Sequence, residues 1–185
     1  MKNYIELCKP RITLLVAATA ALGYFLAGGR VGTTIFWAVV IGVSLSSAAA
    51  GAWNQYLERD CDALMLRTAH RPLPARRIAA PNAAITAAFL GFAGLSILFF
   101  FAGIAPALLT ALTLILYLGA YTPLKRVTPH STWFGAAAGA TPPLIGWAAA
   151  TGGALPLRAW ILFSIVSGSP KPKHSKNNRQ IRQRG

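Results

Sequence analysis

Three of the four acidic residues in this 185-residue chain, Glu58, Asp60 and Asp62, fall within five positions, and Asn54 lies one helical turn before the first of them. On an α-helix Asn54, Glu58 and Asp62 stand at i, i+4 and i+8, drifting about 40° per step, so they share a face while Asp60 points away. Two carboxylates and an amide on one face are hard oxygen ligands. Left bare, like charges at this spacing cost a helix roughly 0.2–0.5 kcal/mol per pair, a cost that a divalent cation turns into affinity. Mg²⁺ takes one or two carboxylates together with waters and substrate phosphate oxygens rather than a complete protein cage. The spacing therefore predicts a metal-bridged phosphate site with Mg²⁺ as cofactor.

Complementary charge lies nearby: Arg67 and Arg71 are four apart, and Lys125 and Arg126 follow a later apolar run. Arginine grips phosphate bidentately and lysine neutralises it. A plainer reading stands beside this one, in which the acids neutralise interfacial arginines that serve only membrane topology. Arg76 and Arg77, cut off from the motif by Pro72 and Pro74, are read as topology determinants. His70 and His130 have no second ligand at useful spacing.

The elements that must position these residues are apolar helices. Hydrophobic residues make up 55% of the chain and charged residues 12%, too apolar for an ordinary soluble surface and inconsistent with a disordered or collagen-like polymer. The 18 Lys and Arg against 4 acids give +14, which raises nucleic acid or anionic lipid as a partner. No aromatic interleaving or binding motif accompanies the charge, so no nucleic acid is expected. The lipid bilayer is the predicted partner.

Apolar runs approach the ~20 residues that cross a bilayer: Ile12 to Ala27, Thr34 to Ala50, Ala83 to Ala102, Ala107 to Tyr121 and Trp133 to Ala150. The second continues as helix into Trp53, Asn54, Gln55 and Tyr56. Gly103 to Pro106 joins the third and fourth runs as an antiparallel pair, and Pro142 and Pro143 predict a kink or break in the fifth. A sixth run, Ala159 to Val166, is too short to span. The fold class is thus an all-α polytopic membrane protein with five transmembrane helices and an incomplete sixth.

Basic residues cluster at the amino terminus and in the 2–3 and 4–5 loops, so the positive-inside rule places these on the cytoplasmic side. Cys8 and Cys61 lack metal-site spacing and are read as reduced. After Ser167 the composition turns basic and polar, holding six of the 18 positive charges. The chain divides into a membrane domain, 1–168, and a basic tail, 169–185, expected to be disordered.

The string Asn54-Gln55-Tyr56-Leu57-Glu58-Arg59-Asp60-Cys61-Asp62, followed by Arg67-Thr68 and Arg71-Pro72-Leu73-Pro74, resembles the first signature of the intramembrane aromatic prenyltransferases, the UbiA superfamily. Lys9-Pro10-Arg11, Tyr121-Thr122-Pro123-Leu124-Lys125-Arg126 and the stretch from Gly135 to Trp147 extend the likeness over nearly everything before Ser167, and the last of these favours the haem-modifying branch. The family commonly has Asp where this chain has Glu58, which keeps the charge and lengthens the side chain.

The resemblance implies a bundle of about nine helices in a bacterial cytoplasmic membrane. It also implies transfer of a farnesyl group from farnesyl diphosphate to a vinyl group of haem B, with addition of water, giving haem O in haem A and cytochrome oxidase biogenesis. Haem A synthase or oxidase assembly factors are the implied protein partners. Catalytic and Mg²⁺-holding roles then fall on Asn54, Glu58 and Asp62, and diphosphate binding on Arg67, Arg71, Lys125, Arg126, Lys9, Arg11 and Tyr121. The family's second aspartate motif is missing, since no aspartate follows Asp62, so this polypeptide by itself is expected to be weakly active or inactive. A quinone-type aromatic prenyltransferase, sharing the first signature, and a membrane scaffold or transporter without chemistry remain as alternatives.

Overall fold

A computed structural model describes residues 2–122 and 131–168. Lys125, Arg126 and the 169–185 tail lie outside the described residues. Every element is helical: α1 Lys2–Leu7, α2 Pro10–Leu26, α3 Thr34–Ala63, α4 Ala80–Ile97 continuing as a π-helical turn Leu98–Ala102, α5 Ile104–Ile115 continuing as a π-helical turn Leu116–Tyr121, α6 Ser131–Ala150 and α7 Leu157–Ser167.

Among the described residues three stretches are long and apolar enough to cross a membrane: Thr34–Ala63, Ala80–Ala102 and Ile104–Tyr121. The Pro10–Leu26 and Leu157–Ser167 helices are apolar but shorter. Many large side chains on these elements face outward, among them Leu14, Leu15, Phe89, Phe92, Phe100 and Ile115, as lipid-facing positions must, since acyl chains are as apolar as leucine.

Local chemistry sets the helix ends. Thr33 caps α3, its hydroxyl accepting from the Phe36 N–H at 3.2 Å, while also meeting the Tyr24 hydroxyl at 2.9 Å. Proline occupies the first turns of α2 and α4, where its missing N–H costs nothing. The turn between the third and fourth spans passes through Gly103 at φ 101°, a conformation open chiefly to glycine. There α5 meets the π-helical end of the preceding helix, while α4 itself packs mainly on α3.

Helix α6 runs unbroken through Pro142 and Pro143, so of the kink or break expected there the break does not occur. Pro142 has no N–H to offer the carbonyl of Ala138 four residues earlier. The Thr141 hydroxyl donates to that carbonyl at 2.8 Å and keeps it satisfied.

Close backbone approach holds the bundle together. A Cβ on Gly146 of α6 would collide with the Ala20 carbonyl of α2, and one on Gly23 with the carbonyl of Pro143. Gly42 and Gly94 play the same part where α3 crosses α4, each facing the other's backbone carbonyl. Around these crossings Ala20, Tyr24, Val39, Val43, Leu98, Ile145 and Ala149 form one buried cluster.

Candidate active site

The last turns of α3 carry the acidic motif. Asn54, Glu58 and Asp62 are 3%, 6% and 5% exposed, while the Asp60 side chain is 84% exposed and meets Arg59 at 3.5 Å. Burying two carboxylates one turn apart is costly unless compensating charge is supplied. Arg71 supplies part of it, its Nη1 bonding Asp62 Oδ2 in a partly buried ion pair. The segment that brings Arg71 back is tied to the end of α3: the Thr68 hydroxyl donates to the Asp62 carbonyl at 3.1 Å, and the Met65 N–H reaches the same carbonyl at 3.3 Å.

Lys9 closes the motif from the other side. It stands in the left-handed region at φ 50°, immediately before Pro10, an unfavourable conformation for a residue with a Cβ. In that position its Nζ donates to Asn54 Oδ1 at 3.1 Å. Gln55 fixes the approach by donating to the Leu7 carbonyl at 2.8 Å, fully buried. Asn54 Nδ2 is then a buried donor with no hydrogen-bond partner among the described residues. A buried donor beside two carboxylates and two cations matches a polyanionic ligand oxygen.

Beneath this polar face lies a cavity of about 210 Å³ between α2, α3, α5 and α6. Lys9, Gly51, Tyr117 and Gly135 are among its lining residues, and its walls are mostly apolar. Lys9 thus belongs to both the polar face and the cavity. Tyr117 also joins them: it lies within electrostatic reach of Glu58 and Arg71 and stacks on Tyr121, ring centroids 5.3 Å apart. Gly135 allows this, since a Cβ there would press on the Tyr121 ring at 2.8 Å.

The remaining sequence-predicted residues fall at different distances from the motif. Arg67 is exposed and has no ion-pair partner among the described residues, and Arg11 is likewise exposed. Arg77, read from sequence as a topology determinant, holds α1 against the loop after α3: it pairs with Glu6 at 3.0 Å, donates to Asn3 at 2.9 Å and reaches the His70 carbonyl. Burial raises the pKa of the Cys8 thiol, and both Cys8 and Cys61 are free.

Among the described residues no three His, Cys, Asp or Glu side chains converge as a closed metal cage. The donor set fits Mg²⁺ only as the partial set that this ion accepts, two carboxylates that leave the rest of the shell to water and ligand oxygens. Glu58, Asp62 and the Asn54 amide are the residues that would hold it.

Comparison with known proteins bears on the whole arrangement. The UbiA prenyltransferase family model matches residues 15–169. The chain is 41% identical to the protoheme IX farnesyltransferase of Opitutus terrae over 89% of its own length and 55% of that protein's. With the enzyme of the same name from Thermosynechococcus vestitus it shares 42% over 89% of this chain and 52% of the relative. The chain thus spans about half the length of the curated relatives it matches.

Among solved structures, a digeranylgeranylglyceryl phosphate synthase superposes with a TM-score of 0.79 at 19% identity, over 90% of this chain and 58% of that one. A UbiA homologue from Aeropyrum pernix superposes with a TM-score of 0.68 at 24% identity, over 85% and 59%. Both share the fold. The protein is a multi-pass membrane protein, and its chain belongs to the UbiA prenyltransferase family.

Proposed function

We propose that this chain carries the first-motif half of a protoheme IX farnesyltransferase, transferring farnesyl from farnesyl diphosphate to a vinyl group of haem B. The observation that carries the reading is the buried Asn54, Glu58 and Asp62 face, bracketed by Lys9 and Arg71 and set over an apolar cavity. The names of relatives at about 40% identity support the haem and farnesyl assignments.

Under this reading the diphosphate lies against the polar face and the isoprenoid enters the cavity. Glu58, Asp62 and the Asn54 amide would hold Mg²⁺, which would supply positive charge to stabilise the leaving diphosphate. Arg71 and Lys9 stabilise the charge that develops on the diphosphate as the allylic C–O bond breaks. Arg67, Arg11, Lys125 and Arg126 are further diphosphate contacts. Tyr117, which lines the cavity and lies within electrostatic reach of Glu58, is the ring placed to attract the positive charge of the allylic cation. Apolar walls keep water from that cation until the vinyl carbon attacks it; water then adds to the adjoining carbon, and a proton is lost.

The reading includes five membrane spans with a short sixth, an amino terminus on the cytoplasmic side, and haem A synthase or oxidase assembly factors as partners. It also includes little or no activity for this polypeptide by itself, because one acidic set supplies one side of a metal and diphosphate clamp. The test is haem O formation, read by mass spectrometry, in haem-O-deficient cells expressing this chain or a version extended with a relative's carboxy-terminal half. Haem O only from the extended version is expected. Haem O from the short chain would refute the dependence on a second motif, and none from either would refute the assignment.

A further inference from the structure

How Lys9 meets Asn54 depends on how α1 is held, and the parts that hold α1 lie outside the acidic motif. Among the described residues two non-glycine positions have a positive φ, Lys9 at 50° and Arg76 at 54°. Such backbone is unfavourable for a residue with a Cβ and persists only where its surroundings impose it. The two positions stand at opposite ends of one chain of contacts. At the far end, the turn through Arg76 is closed by the Arg77 and Ile78 N–H groups, which donate to the Pro72 carbonyl at 2.8 and 3.2 Å. Arg77 then meets α1 fork to fork: Nη1 and Nη2 lie 3.0 and 3.2 Å from the two carboxylate oxygens of Glu6. Nη1 also donates to Asn3 at 2.9 Å, and Nη2 to the His70 carbonyl. A bidentate pair with two further acceptors fixes an orientation, as a single surface ion pair does not.

Helix α1 carries that orientation to Lys9. Leu7, one turn beyond Asn3, is fully buried in a cluster with Ala52, Leu73 and Ile78, so α1 and the loop bearing Arg77 share one apolar contact. The Leu7 carbonyl is held by Gln55 of α3. The Lys9 N–H donates to the Glu6 carbonyl at 3.3 Å. Arg77 thus grips the side chain of the residue whose main chain holds the Lys9 backbone, and Lys9 Nζ reaches Asn54.

We propose that Arg77 is a positioning residue for the diphosphate site, clamping α1 so that Lys9 is seated on Asn54. The inference rests on the prenyl-diphosphate reading and deepens it. The clamp and a simple charge effect differ in sign at Glu6. If Arg77 served an anionic ligand by its field alone, removing the Glu6 carboxylate would strengthen binding. If it acts through α1, removing that carboxylate frees Lys9 and weakens binding.

The test is a double-mutant cycle read by calorimetric binding of the non-cleavable thiolodiphosphate analogue of farnesyl diphosphate, with Mg²⁺, to the full chain in lipid nanodiscs. Arg77→Met and Glu6→Ala should each weaken binding by about fivefold in the otherwise unaltered chain, and by under about twofold in the Lys9→Met background. The two variants break the clamp from its two sides, so either carries the test if the other does not fold. Binding strengthened or unchanged by Glu6→Ala would overturn the clamp. So would equal weakening with and without the Lys9 ammonium, since the effect would then not pass through Lys9. Absence of binding by the unaltered chain would instead overturn the prenyl-diphosphate reading itself.

Discussion

Helix α3 has two ends built on opposite principles. Towards Thr34 its inward face is small and closes on neighbouring backbone, with Gly42 set against the Gly94 carbonyl. Towards Ala63 the same helix turns polar and buries Asn54, Glu58 and Asp62 against cations. The first end gains its energy from close packing and tolerates no added atom; the second carries desolvated charge that packing alone would never favour. Where a bundle retains buried carboxylates together with the cations that face them, the cluster is explained by a ligand better than by stability.

The sharpest way to break this comparison is to add atoms at the packed end. Gly146→Val should collapse the α2–α6 crossing and abolish a cooperative melt in detergent, since the new Cβ falls on the Ala20 carbonyl. Next in size, Asp62→Asn should leave the melt within a few degrees yet weaken Mg²⁺-dependent farnesyl diphosphate binding by about 100-fold, by removing a charged ligand and the Arg71 partner. Lys9→Met should weaken the same binding by about tenfold, because it removes a charged donor from Asn54 and from the ligand. Tyr117→Phe should hold affinity within about threefold, the ring face being retained, whereas Tyr117→Leu should lower turnover of the extended enzyme by about tenfold. Smallest of all, Asp60→Asn should change affinity by less than about twofold, its side chain being exposed.

Much of this division was legible in the sequence. The i, i+4, i+8 spacing of Asn54, Glu58 and Asp62 put them on one face and Asp60 off it, because a helix enforces that geometry whatever surrounds it. Gly103 and Pro106 marked a turn for equally local reasons. What stayed hidden depends on contacts distant in sequence or on departures from ideal winding. Tyr121 stood out beside Thr122 and Pro123, while Tyr117, which lines the cavity and reaches Glu58, did not. The signal was there in the four-residue spacing of the two tyrosines, but the π-helical winding that sets their stack is not a sequence periodicity. The Arg77 contacts to Asn3 and Glu6 span more than 70 residues, so charge statistics alone could assign Arg77 only a topological role. In α6 the Ala138 carbonyl left without a partner by Pro142 is met by the Thr141 hydroxyl, a local compensation that the proline pair alone does not announce.

The central claim is that the end of α3 is a metal-dependent diphosphate site. The most direct measurement is titration of farnesyl diphosphate onto the full chain in nanodiscs, with Mg²⁺ and then with excess chelator, beside Asp62→Asn. Saturable binding that needs Mg²⁺ and is lost in the variant is predicted. Binding indifferent to both Mg²⁺ and Asp62, or none at all, would contradict the account and leave the buried acids as partners of interfacial arginines.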